Sequence, residues 1–128
     1  MKPTEGQRQR ILVVEDESSI CQVCLRTLTA EGFEVDIAVN GAIGSKMLGE
    51  KKYDLCLIDI RTPIMNGREL YQYIRDNYPD FNGKIIFTTG DVLDEKLSSM
   101  LKEVERPYLP KPFTPDELKT IVKETLEG

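Results

Sequence analysis

Four consecutive apolar residues, Leu55, Cys56, Leu57 and Ile58, stop abruptly at a carboxylate, Asp59. A run this short, without polar alternation, reads as a strand covered on both faces, the situation of an inner strand in a parallel sheet. An unpaired carboxylate is almost never left in an apolar interior, so Asp59 is placed at the strand's carboxyl end, where the sheet meets solvent. Arg61-Thr62-Pro63 and Asn66-Gly67 follow as loop chemistry. In an open α/β sheet ligands bind at that rim. Taken by itself, an Asp here more commonly caps a loop or the next helix, so the meaning of Asp59 depends on what the other strands bring beside it.

The same grammar recurs along the chain. Residues 1–9 are polar, with Pro3 and Gly6, and are expected to form a frayed leader before a single domain over residues 10–127. Arg10 to Val14 is a second fully buried strand, ending in Glu15-Asp16-Glu17. Ile20, Val23, Cys24 and Leu28 then repeat at helical spacing up to Gly32. Phe33 to Val39 reads as a strand, Asn40-Gly41 as a helix start, and Gly44 and Gly49 as helix-weakening positions, each costing on the order of 1 kcal/mol against alanine. After the Asp59 strand comes a helix over about 68–78 with Leu70, Tyr73 and Ile74 inward. Lys84 to Thr89 is a further buried strand, and Leu93, Leu97, Leu101 and Val104 form the stripe of the next helix. Tyr108-Leu109-Pro110 is a short last strand; Thr114-x-x-Glu117, with Pro115 inside it, is a capping box opening the last helix.

Strands alternating with helices through short connections imply an α/β fold: a single-domain, doubly wound, flavodoxin-like (βα)5 arrangement. Its parallel five-stranded sheet has the order 2-1-3-4-5, with helices on both faces. Pro110 fits an edge strand, because proline cannot donate to a ladder. A chain of 128 residues can bury such a core without staples. Seventeen Lys and Arg against 22 Asp and Glu argue against a nucleic-acid surface. No apolar run approaches the roughly 20 residues of a membrane span, and no signal-peptide core opens the chain, so the expected location is the cytoplasm. Three cysteines fit a reducing compartment, and Cys21 and Cys24 fall inside a helix, away from the helix start where a redox thiolate is stabilised. Without histidine the chain cannot build a histidine-based triad or phosphoacceptor.

In a parallel sheet every strand's carboxyl end lies on one rim. Glu15 and Asp16, then Asp59, Thr89 and Lys111, all stand at such ends. Three clustered carboxylates repel one another unless a cation sits among them, and an incomplete oxygen site that retains waters suits Mg²⁺. Asp59 can then serve as a carboxylate nucleophile, with Lys111 and the Thr89 hydroxyl on phosphoryl oxygens and Gly90 leaving room for the group. Each residue alone has a commoner structural role; the combination at four strand ends does not.

VVEDE (13–17), DLCLIDIRTPIMNG (54–67), FTTGD (87–91) and YLPKPF (108–113) resemble the receiver domain of bacterial two-component response regulators, along essentially the whole chain. The resemblance implies that Asp59 accepts a phosphoryl group from a histidine kinase or phosphotransfer protein. It further implies Mg²⁺ on Asp16, Asp59 and the Arg61 carbonyl, with Glu15 acting through water, and a cis peptide before Pro112. Thr89 and Tyr108 would form the switch that repacks the face made by the fourth helix, fifth strand and fifth helix. Two copies could pair through that face. Such a protein is a regulatory phosphoacceptor rather than an enzyme with a separate substrate. Glu15 in place of the more usual Asp, Thr62 in place of Met or Leu, and Pro110 before Lys111 depart from the commonest pattern, the last resembling receivers of hybrid kinases.

Arg61 and Asp91, two residues beyond Asp59 and Thr89, are expected to overhang the site and shield it from water. A phosphohydrolase with an Asp nucleophile needs a second carboxylate where Arg61 stands, and a flavin or nucleotide binder needs a glycine-rich loop where Glu15-Asp16-Glu17 stands. A docking module independent of phosphorylation would not need this set of groups. No effector domain is expected within these 128 residues.

Overall fold

The computed structural model describes residues 8–81, 83–90 and 94–128. Strands β1 (Arg10–Val14), β2 (Glu34–Ala38), β3 (Leu55–Asp59), β4 (Lys84–Thr89) and β5 (Tyr108–Pro110) alternate with five helices. These are α1 (Ser18–Ala30), α2 (Gly41–Glu50), α3 (Gly67–Asn77), α4 (Glu95–Val104) and α5 (Pro115–Glu127). The strands form one parallel sheet in the order β2-β1-β3-β4-β5, as the sequence predicts. Every residue of β3, the middle strand, is buried, whereas the edge strand β2 is mostly half-buried.

Alternation along the strands feeds two separate layers. Leu12, Val14, Ile58 and Phe87 pack with Leu48 of α2, Leu70 and Ile74 of α3, and Met100 of α4. Ile11, Val13, Leu57 and Ile86 pack with Cys24 and Leu28 of α1 and with Leu118 and Val122 of α5. The sheet is therefore covered on both faces. Pro110 takes the edge position expected of it, opposite Thr89 of β4.

One helix turns differently from the sequence expectation, and a second buries a residue that the expectation did not include. In α3 the buried side chains are Leu70, Tyr71 and Ile74, while Tyr73 is half-buried. Counted from Gly67, which is also buried, they fall at i, i+3, i+4 and i+7, one helix face; Tyr73 lies on its flank, edge-on to Tyr78 at 6.0 Å. Tyr71 instead meets Phe87 edge-on at 5.6 Å. In α4 Leu93 lies outside the described residues, and Met100 is the buried side chain, between half-buried Leu97, Leu101 and Val104. The helix caps follow local chemistry. The Thr114–Glu117 capping box opens α5 as expected, and a second one, Asn66–Glu69, opens α3. Gly44 has a compensation for its propensity cost: a Cβ there would come within 3.1 Å of Val14, so the glycine lets α2 lie close on the sheet.

Candidate functional site

At the carboxyl rim β1 runs straight into Glu15, whose N–H still donates to the Ala38 carbonyl of β2 at 2.9 Å, so Glu15 is held like one more strand residue. Its side chain is 1% exposed. Asp59, the last residue of β3, is 3% exposed, and the next N–H, of Ile60, is tied to Thr88 of β4. Beyond β5 the Lys111 N–H donates to the Thr89 carbonyl at 3.0 Å, which fixes the base of the lysine beside β4, and its side chain reaches across to Asp59 and Glu15.

The Lys111 ammonium meets three carboxylates: Glu15 Oε1 at 2.7 Å, Asp59 Oδ2 at 3.0 Å and Glu17 Oε1 at 3.1 Å. Asp59 Oδ1 accepts the Arg61 N–H at 3.0 Å, and Glu15 Oε2 accepts the Glu17 N–H at 3.1 Å. Each buried carboxylate thus has one oxygen on the backbone and the other on the lysine. The fit is incomplete at Glu15 Oε1, which touches Lys111 as an ion but is buried without an aligned hydrogen bond. Burial pushes the Glu15 carboxyl up, and the Asp59 charge adds to this against the lowering pull of Lys111 and the Glu17 N–H. Burial alone pulls Lys111 down; Glu15 and Asp59 more than reverse it, so the ammonium stays charged well beyond the ordinary lysine range.

Three carboxylates against one ammonium leave the group with excess negative charge, entirely on hard oxygen atoms. That donor set, with one buried oxygen poorly satisfied, fits a hard divalent cation such as Mg²⁺. Among the described residues the group that could hold a metal is Glu15, Glu17 and Asp59. Asp16, expected in this set, is exposed and lies outside that group. Glu17 was passed over by sequence reasoning, although it belongs to the same acidic triplet. The available signal was the two-residue period: as the chain leaves β1 nearly extended, residues 15 and 17 face the same way and residue 16 the opposite way.

The remaining expected groups are at or near the rim. Thr89 is 1% exposed, and Tyr108 is half-buried against the layer that contains Phe87. Arg61 is exposed beside the site, and Lys111–Pro112 is cis. Asp91 lies outside the described residues. A Cβ at Gly90 would make ordinary contact with the Lys111 side chain, at 3.6 Å. Gly67 is more confined: a Cβ would fall 2.7 Å from the Ile60 Cα and 2.9 Å from the Asp59 carbonyl oxygen. Only glycine lets the start of α3 dock directly against the end of β3. In the loop between them Ile64 is 80% exposed with φ of 70°, an unfavourable conformation for a β-branched side chain.

Comparison with known proteins agrees with this geometry. The family model of the response regulator receiver domain matches residues 11–123. The sensor kinase CckA of Brucella abortus is 32% identical over 119 residues, covering 91% of this chain and 12% of that protein. The DNA-binding response regulator MtrA of Mycobacterium tuberculosis is 33% identical over 124 residues, covering 95% of this chain and 52% of that protein. The chain thus spans about half or less of the length of these relatives. A response regulator receiver domain protein from Methanospirillum hungatei superimposes with a TM-score of 0.84 at 30% identity, over 94% of each chain. The receiver domain of the sensor histidine kinase PA1611 from Pseudomonas aeruginosa does so with a TM-score of 0.84 at 27% identity, over 94% of this chain and 99% of that one. That structure holds a magnesium ion coordinated in its active-site cleft. With the strand order, the rim chemistry and the family match in agreement, this chain belongs to the response regulator receiver domains of two-component systems.

Proposed function

We propose that Asp59 is the phosphoacceptor of this receiver domain, taking a phosphoryl group from a phosphohistidine on a histidine kinase or phosphotransfer protein. The observation that carries this reading is the Lys111 ammonium lying within 3.1 Å of Glu15, Glu17 and Asp59 at three strand ends. An Asp59 oxygen attacks phosphorus, the P–N bond to the donor imidazole breaks, and the bonding pair leaves with the imidazole nitrogen. Asp59 Oδ1 is held by the Arg61 N–H, which orients the carboxylate. Lys111 supplies a positive charge beside the oxygens on which negative charge accumulates. Glu15, Glu17 and Asp59 would hold Mg²⁺, with Asp16 and the Arg61 carbonyl as further candidate ligands. When bound, the metal supplies charge neutralisation between the attacking carboxylate and the phosphoryl oxygens.

The signal leaves the rim through Thr89 and Tyr108. A phosphoryl group on Asp59 gives the Thr89 hydroxyl an acceptor, and movement of Thr89 opens space for Tyr108, altering the surface of α4, β5 and α5. Phosphorylation then biases an equilibrium between two packings of that surface, and pairing of two copies through it belongs to the same reading. Arg61, together with Asp91, partly shields the acyl phosphate from water.

The test is incubation with acetyl phosphate and Mg²⁺, read by intact mass beside Asp59→Asn. A gain of one phosphoryl group that requires both Asp59 and the metal supports the proposal. No gain, in a protein shown separately to bind Mg²⁺ and to refuse phosphate from histidine kinases and phosphotransfer proteins as well, leaves a docking module in its place.

A further inference from the structure

Beside the phosphorylation loop, a groove runs between α3 and α4. Its upper part, about 470 Å³, is lined by Ile60, Arg61 and Thr62 together with Lys96 and Leu97. Its lower part, about 410 Å³, is lined by Tyr71, Arg75, Glu103 and Val104. Asn66, Arg68 and Met100 line both parts, so the two are one continuous channel.

Its charge is opposite to that of the molecule. The chain carries a formal net charge of −5, yet Arg68, Arg75 and Lys96 project into this groove. Among the described residues none of the three has an ion-pair partner. Arg106 joins them just past α4. Of the carboxylates that line it, Glu69 accepts the Asn66 N–H and Asp94 the Leu97 N–H, so these two and Glu103 stand against four lining cations, Arg61, Arg68, Arg75 and Lys96. The Arg75 and Arg106 guanidiniums each stand 5.9 Å from the centre of the Tyr71 ring. Both lie within cation–π range of the same ring, which favours conformations that keep them at the groove. The floor between them is apolar, from Met100 and Val104.

We propose that the α3–α4 groove docks an extended acidic segment of a partner protein, with carboxylates on Arg68 and Arg75 and an apolar side chain between them on Met100. Spacing favours a peptide over a compact anion. Arg68 and Arg75 are two helical turns apart, about 10 Å along the axis, which three or four residues of extended chain cover. A single phosphate would not bridge them. This surface shares α4 with the face assigned to output but extends toward α3 instead of β5 and α5, and docking there needs no phosphorylation chemistry.

The probe is a fluorescein-labelled heptapeptide with one central leucine between two runs of three glutamates, titrated with the intact chain and read by anisotropy. Binding should weaken about tenfold in the Arg68→Glu, Arg75→Glu double variant, the effect expected of reversing two rim charges. It should also weaken with added salt, and when serine replaces the leucine. Circular dichroism, with labelling of Asp59 by acetyl phosphate, establishes that the variant is folded. Should the double variant not fold, Arg68→Glu alone, an exposed position, serves the same comparison. No binding at millimolar protein, equal binding by the charge-reversed protein, or full competition by inorganic triphosphate at the peptide's own concentration overturns the proposal.

Discussion

Lys111 is the residue on which the rim depends electrostatically. Its ammonium is the cation shared by Glu15 and Asp59, both almost fully buried. Replacing it with alanine leaves two buried carboxylates without a counter-charge, and loss of one partner of a buried pair costs about 3 kcal/mol. Urea denaturation of Lys111→Ala in the absence of divalent ions should show a loss of this order, and Mg²⁺ should recover part of it; an unchanged midpoint contradicts the role given to the lysine. At the opposite pole Tyr53, 5% exposed, donates to Asp36 Oδ2 at 2.8 Å. Burial raises the Tyr53 pKa first, and the hydrogen bond and charge of Asp36 raise it further. Because the folded value lies above the unfolded one, near 10, its stabilising contribution is complete below that pH and is lost as pH rises toward the folded value. Tyr53→Phe should therefore cost about 1 kcal/mol at neutral pH. The gap to wild type should close in denaturation curves taken progressively above pH 10.

At the scale of elements the two capping boxes and the Gly67 contact can be tested separately. Thr114→Ala removes the acceptor for the Glu117 N–H and should lower stability by about 1 kcal/mol, as read by urea midpoint, without altering phosphorylation of Asp59. Gly67→Ala pushes a methyl group against the backbone of residues 59 and 60, so it should cost about 2 kcal/mol and also slow phosphorylation by acetyl phosphate. Elements with strong local signals were legible in the sequence. The β1, β3, β4 and β5 runs, their polar ends and the Thr114 cap were all readable, because period and punctuation there are local properties. The helix faces were less so. Tyr71 and Met100 are buried because of what the sheet presents to them, Phe87 in the first case. Met100 stands three residues after Leu97 on the same helix face, so spacing alone places it with the stripe but does not say that it is the most buried member. Glu17 was missed for a related reason: its place in the site depends on the chain staying nearly extended beyond β1, a property of the backbone rather than of composition.

For the molecule as a whole, a cation that binds only the folded site must stabilise folding. At ten times its dissociation constant, Mg²⁺ should add about 1.4 kcal/mol to the unfolding free energy. Chelation should remove this gain, and Asp59→Asn should reduce it. A denaturation midpoint indifferent to Mg²⁺ would mean that the acidic group is not a metal site. No helix among the described residues is long and apolar enough to cross a membrane.

The reach of Lys111 also bears on synthesis. Its partners stand 52 residues earlier at Asp59 and 94 residues earlier at Glu17. While the ribosome is still making the first four strands, the acidic end of the sheet has no lysine to neutralise it. Contacts this distant in sequence are among the last to close. On the chemistry proposed above, competence at Asp59 would arrive only when the fifth strand docks, and a nascent or prematurely terminated chain would hold the aspartate without its lysine.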